Sequence, residues 1–233
     1  SAPLREKVKR DIITRWPGKM IEIYGLTEGG IGTALSCTEF PDKLASVGMA
    51  GEGTELRIIN EEGVELAQGE IGEIFGRSDA MMTGYHGRKD LTEAMIWRAP
   101  DGKVFFKSGD MGRFDEDGFL FLLDRKKDMI ISGGFNIYAA DIEVELAQHE
   151  AVADVAVIGI PSEEWGETPL ALVVAKDGAD VTEAELTQWV NDRLGKTQRI
   201  SGVEFRDELP RSTIGKVMKR ELRIPYWEAA STA

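Results

Sequence analysis

Asp124-Arg125-Lys126-Lys127-Asp128 is an unbroken charged run standing between two stretches of different texture. Alone it reads as a solvated charge run, and its position between the two textures is where a polar, exposed linker between domains is expected. Upstream of it the chain reads as strands and turns. Glu55–Ile59, Glu70–Gly76, Val104–Lys107 and Phe119–Leu123 carry strand patterns, with the hairpin-type turn signals Asn60-Glu61-Glu62-Gly63, Asp101-Gly102 and Asp117-Gly118 between them. One helix, Lys89–Ile96, interrupts them. A helix over 1–16, with Ser1 and Pro3 at its start and Leu4, Val8 and Ile12 on one face, precedes them and stops at Pro17-Gly18. The buried-strand pattern Met20–Tyr24 then runs into a glycine-rich loop. Downstream of the charged run, helices and strands alternate. Asp141–His149 reads as a helix, Val155–Ile160 and Leu170–Ala175 as strands, and Thr182–Leu194 as a helix with a Thr182/Glu185 capping box. The pattern predicts an α+β protein in two parts, 1–124 β-rich and 125–233 a compact α+β unit, with a frayed tail after Tyr226.

Composition excludes several classes. The 233 residues suffice for one large or two modest domains, and no apolar run approaches the roughly 18 residues of a bilayer span, so a soluble chain is expected. Lys and Arg total 28 against 41 Asp and Glu, and the net charge of -13 argues against nucleic acid or an anionic membrane as partner. A single cysteine, Cys37, and no apolar leader pattern make a reducing cytoplasm the simplest compartment. His86 and His149 are too few for a histidine-rich metal centre.

Four segments place polar groups beside glycines, as ligand-wrapping loops do. In Tyr24-Gly25-Leu26-Thr27-Glu28 a hydroxyl and a carboxylate suit a phosphate oxygen and Mg2+, although a polar turn accounts for the same letters. In Lys107-Ser108-Gly109-Asp110 the carboxylate suits two vicinal ribose hydroxyls, or simply a turn. Asp124–Asp128 is followed by Ser132-Gly133-Gly134-Phe135-Asn136, which also reads as a hairpin turn. Pro210-Arg211-Ser212-Thr213-Ile214-Gly215-Lys216 is a basic loop, flexible at Gly215, whose cation suits an anionic site or a helix start. Gly195-Lys196-Thr197 is no phosphate loop, since Val190 stands where the first glycine belongs. Asp115–Gly118 is no calcium loop, since Arg113 replaces the first acidic ligand.

In this order and spacing the segments resemble the adenylate-forming enzymes: acyl-CoA synthetases, aryl-CoA ligases, luciferases and the adenylation domains of peptide synthetases. Gly69-Glu70-Ile71-Gly72-Glu73-Ile74 and Gly84-Tyr85 add to the match. Gly159-Ile160-Pro161, Trp165-Gly166-Glu167 and Lys219–Arg223 with Tyr226-Trp227 look most like bacterial fatty-acyl- or aryl-CoA ligases. The resemblance implies that a carboxylic acid is joined to ATP, releasing pyrophosphate, and that the thiol of CoA then takes the acyl group. It implies Thr27 on the α-phosphate, Glu28 on Mg2+, Tyr24 and Gly25 along the adenine, Asp110 and Arg125 on the ribose, and Lys216 at the forming acyl-phosphate bond. It further implies a hinge within 125–128 at Lys127, and a CoA path beside Gly133, Gly134, Trp165 and Arg199.

Family members also carry a Ser/Thr/Gly-rich phosphate loop ending in Pro-Lys-Gly upstream of the Tyr24 motif, and nothing in these 233 residues resembles it. The expectation is therefore the C-terminal half of a ligase, inactive without its N-terminal half and with apolar edges left exposed. The alternative is a non-catalytic nucleotide- or acyl-adenylate-binding module, or the partner half of a split ligase. Only the Gly29-Gly30-Ile31-Gly32 edge of an acyl pocket is present, so fatty, aryl and short-chain acids all fit.

Overall fold

A computed structural model describes residues 4–213 and 215–231; Ser1, Pro3 and Ile214 of the segments above lie outside them. The chain divides into two compact units, the first ending at Lys126 and the second beginning at Lys127, inside the charged run.

The first unit opens with α1 (Glu6–Arg15) and a three-stranded antiparallel sheet of β1 (Ile21–Gly25), β2 (Gly32–Ser36) and β3 (Met49–Ala50). A five-stranded antiparallel sheet follows. It is built from β4 (Thr54–Ile59), β5 (Gly72–Ser78), β6 (Ile96–Arg98), β7 (Val104–Phe114) and β8 (Leu120–Arg125), with α2 (Lys89–Ala94) before β6. The strand order is β4-β5-β7-β6, and β8 also pairs with β7. Ile31, Ile58, Ile74 and Leu120 are buried together on this sheet, and Phe75, Phe105 and Trp97 cluster elsewhere on it.

Two expectations are corrected here. The helix expected through Ile96 ends at Ala94, because Ile96 begins β6 and pairs with Phe106. In α1 the buried side chain is Lys9, only 2% exposed, whereas Val8 is 43% exposed. The Lys9 ammonium donates to the Ser46 carbonyl at 3.0 Å and forms an ion pair with Glu22 of β1. A paired cation with an aliphatic stem thus takes the covered position that an apolar-stripe reading assigns to Val8. β1 is inverted in the same sense: Glu22 and Tyr24 are half-buried, while Ile21 and Ile23 are 62% and 76% exposed.

The second unit contains β9 (Ile130–Ser132), β10 (Phe135–Ile137), α3 (Ala139–Leu146), β11 (Val152–Ser162), β12 (Gly166–Ala175), α4 (Glu183–Asn191), β13 (Gly202–Phe205) and α5 (Lys219–Ser231). The sheet runs β10-β9-β12-β11, with β13 parallel to β12. Alternate residues of β11 serve two cores. Val155 and Val157 pack with Ile142, Leu146, Leu186 and Val190, while Ala156 and Ile158 pack with Leu170, Leu172, Leu222 and Tyr226. Burial on both faces explains why β11 and β12 read as continuous apolar runs. Thr182 and Glu185 form both bonds of the capping box. The tail expected to fray after Tyr226 is instead helical to Ser231. Tyr226 packs on the sheet and the Trp227 indole donates to the Gly159 carbonyl at 3.1 Å, anchoring α5 beyond Pro225.

Candidate active site

Tyr24 lies near the end of β1, opposite Thr33 of β2, and its phenol donates to Asp110 Oδ2 at 2.7 Å. Asp110 is paired across β7 and β8 with Arg125, whose Nε stands 3.3 Å from Oδ1. Three residues distant in sequence thus meet on one carboxylate that is only 9% exposed. Burial, reinforced by the Asp110 charge, pushes the Tyr24 phenol up, so it remains a neutral donor. Each Asp110 oxygen has one of these partners, and a carboxylate has about four acceptor positions in all, so capacity remains for hydroxyl donors.

The loop after β1 is set by close packing. Gly29 has φ +80°, and a β-carbon there would stand 2.0 Å from the Ala80 carbonyl oxygen, so glycine alone fits. Ser78 donates to the Gly29 carbonyl at 2.5 Å, and the Met82 amide donates to the Glu28 carbonyl at 2.8 Å. The Glu28 side chain in turn accepts from the Tyr85 phenol at 2.8 Å. Thr27 and Gly25 are exposed beside it. Glu28 contributes one carboxylate, and no group of three or more metal-ligating side chains occurs among the described residues. That donor set suits Mg2+, which is commonly held by one or two carboxylates together with substrate phosphates.

In the second unit Lys216 is half-buried, and among the described residues its ammonium has no ion-pair partner. The loop that carries it is fastened, where the sequence suggested flexibility. Gly215 takes φ +81°, Ser212 and Lys216 exchange bonds at 2.8 and 3.2 Å, Arg211 bridges Val217, and the Arg211 guanidinium pairs with Asp154.

Gly133 and Gly134 form the two-residue turn between β9 and β10, with φ +57° and +83°. The Gly133 amide donates to the Trp165 carbonyl at 2.9 Å, and a β-carbon at Gly133 would lie 2.7 Å from the indole Cε3. Trp165 is half-exposed across this turn; Arg199 and Lys127 are exposed.

Sequence reasoning missed Tyr85, Glu73 and Lys126 as parts of this arrangement. Glu73 is buried in β5 among Gly72, Ile74 and Phe75, and a lone carboxylate in an apolar strand was the signal that could have found it.

Residues 1–86 match the AMP-binding enzyme family and residues 141–216 the AMP-binding enzyme C-terminal domain. A long-chain-fatty-acid–CoA ligase of Bacillus subtilis is 39% identical over 95% of this chain and 39% of its own length. A feruloyl-CoA synthase of Amycolatopsis is 37% identical over 93% of this chain and 44% of its own. The chain therefore spans about two fifths of these curated relatives. Among solved structures, ATP-bound MatB from Rhodopseudomonas palustris is 35% identical with a TM-score of 0.87, over 97% of this chain and 44% of that one. The o-succinylbenzoate CoA synthetase MenE of Bacillus subtilis, in complex with its acyl-adenylate, is 33% identical with a TM-score of 0.83, over 95% of this chain and 44% of that one. These matches, together with the two domain types in order along one chain, make the protein a member of the adenylate-forming AMP-binding enzymes, related to the acyl-CoA ligases.

Proposed function

We propose that this chain carries the nucleotide side of an ATP-dependent acid–thiol ligase, which converts a carboxylic acid, ATP and CoA into acyl-CoA, AMP and pyrophosphate through an acyl-adenylate. The observation that carries the reading is the convergence of Tyr24 and Arg125 on the buried Asp110 carboxylate. Asp110 accepts the two vicinal ribose hydroxyls, Arg125 holds its other oxygen in place, and Tyr24 and Gly25 line the adenine. Thr27 donates to the α-phosphate. Glu28 is the Mg2+ ligand, and the ion when bound neutralises phosphate charge.

Lys216 supplies a cation to the charge that builds as the acid attacks the α-phosphorus. Such a charge acts most strongly in the transition state. Lys127 is the hinge about which the second domain, here taken as beginning within 125–128, turns between half-reactions. Gly133, Gly134, Trp165 and Arg199 then border the path of CoA. The exposed Trp165 indole offers a stacking face, and the positive φ values at the turn keep side chains out of a narrow channel. The remaining partner is the N-terminal part found in the longer relatives, which supplies the triphosphate loop and most of the acyl pocket. The curated relatives named above are a long-chain-fatty-acid–CoA ligase and a feruloyl-CoA synthase, and fatty-acid metabolism and the cytoplasm are the proposed setting. No helix among the described residues is long and apolar enough to cross a membrane.

Calorimetry of the 233-residue chain with AMP tests the nucleotide side: binding that Asp110→Ala abolishes supports it, and no heat at millimolar AMP overturns it. ATP–pyrophosphate exchange tests the whole. It is expected only when the N-terminal part is joined to this chain.

A further inference from the structure

We propose that Glu73 is a positioning residue for the nucleotide, clamping the backbone that aims Asp110 with one carboxylate oxygen and the lysine beside Arg125 with the other. The inference rests on the reading of Asp110 as the ribose ligand. Along β5 and β7, Glu73 pairs with Met111 and Phe75 with Lys107, so Ser108, Gly109 and Asp110 all stand opposite Ile74 alone. This bulge turns the Asp110 side chain toward Tyr24, as bulges commonly re-aim residues at active sites. A bulge leaves backbone groups without ladder partners, and the half-buried Gly109 amide is one of them.

Glu73 supplies it. Its Oε1 accepts from the Gly109 amide at 3.2 Å, while inside the bulge Asp110 N donates to Ser108 Oγ at 2.9 Å and Gly109 takes φ +71°. Its Oε2 accepts from Lys126 Nζ at 3.1 Å. Glu61, the other acid near Lys126, is 4.0 Å away and 77% exposed, so the 9%-exposed Glu73 is the partner that counts. Both partners of one buried carboxylate are chain neighbours of the proposed ribose site, Gly109 before Asp110 and Lys126 after Arg125. A carboxylate in an apolar strand costs stability unless both its oxygens are engaged, and here the partners that engage them are the two segments that must stay in register to hold a ribose.

The test uses the 233-residue chain with AMP and 2′,3′-dideoxy-AMP in calorimetry, together with amide exchange at Gly109 and trypsin cleavage after Lys126. Glu73→Ala is expected to weaken AMP about tenfold, the scale of a lost hydrogen bond to a charged group, and to leave dideoxy-AMP unchanged. Glu73→Gln keeps an acceptor for Gly109 and is expected to retain most of the preference for AMP. Both variants release Lys126 and are expected to be cut there faster. Equal losses for the two nucleotides, or unchanged AMP affinity in Glu73→Ala, would overturn the proposal. A wild-type chain that binds neither nucleotide overturns the ribose reading instead. The clamp is then judged by exchange and cleavage, and unchanged rates in both variants overturn it.

Discussion

The phenol of Tyr85 and the carboxylate of Glu28 are joined by a 2.8 Å hydrogen bond that ties the Gly84-Tyr85 segment to the loop after β1. Burial and the Glu28 contact push the Tyr85 phenol up, so it serves as a donor at neutral pH. In the complete enzyme Tyr85→Phe is expected to raise the Mg2+ concentration needed for half-maximal ATP–pyrophosphate exchange by roughly tenfold, since a hydrogen bond to a charged group contributes about 1.5–3 kcal/mol. An unchanged Mg2+ titration would remove Tyr85 from the site.

At the β9–β10 turn the Trp165 indole fills the place of a Gly133 side chain. Gly133→Ala must both strain a positive φ and push the indole away, whereas Gly134→Ala meets open space and bears only the backbone strain. The Gly133 variant is expected to lose about 1 kcal/mol more in urea unfolding than the Gly134 variant. Acrylamide quenching should report a more accessible tryptophan in the Gly133 variant alone.

For the complete enzyme, Lys216→Ala is expected to lower adenylation by about 10²–10³-fold, the scale of a lost transition-state donor, while largely sparing thioester formation from supplied acyl-AMP. Equal loss in both half-reactions would make Lys216 structural. Lys127→Pro is expected to show the opposite split, slowing the second step, because proline fixes the backbone angle a hinge must change.

Tyr226 donates to Glu204 at 2.7 Å and accepts from Arg206 at 2.7 Å. Burial first, then the Glu204 bond, push its phenol up to about 12. The folded chain therefore holds this proton more tightly than the unfolded chain, where tyrosine titrates near 10. The stability it contributes is complete below about pH 10 and falls as the pH rises through about 12. Urea midpoints across pH 9–12 should drop more steeply for the wild type than for Tyr226→Phe. Parallel slopes would contradict the assignment.

Much of the fold was legible because most of the longer elements follow a clean period. β4, β11 and α4 lie where pattern and capping placed them, whereas Asp110, read at the end of a strand, stands inside β7, because its bulge hides the strand period. β9, β10 and β13 have three or four residues each, too few for a period to show. α5 was obscured by Pro225, since its anchors on the sheet come from residues far away in sequence. Lys9 and Glu73 escaped for one shared reason. A charged letter says nothing about whether a partner awaits it, and Ser46, Glu22, Gly109 and Lys126 are supplied only by the folded chain.

The inverted strand β1 leaves an apolar face whose consequence lies in how copies of this molecule are expected to meet. Among the described residues it pairs only with β2, and it presents Ile21 and Ile23 outward. At low ionic strength the net charge of -13 holds copies apart. Near 0.15 M salt that repulsion fades beyond about 8 Å, and an unpaired apolar edge can then template strand pairing between chains. Colloidal stability is therefore expected to depend on salt: light scattering should report a dispersed chain in dilute buffer and growing self-association as salt rises, less so in Ile21→Thr/Ile23→Thr.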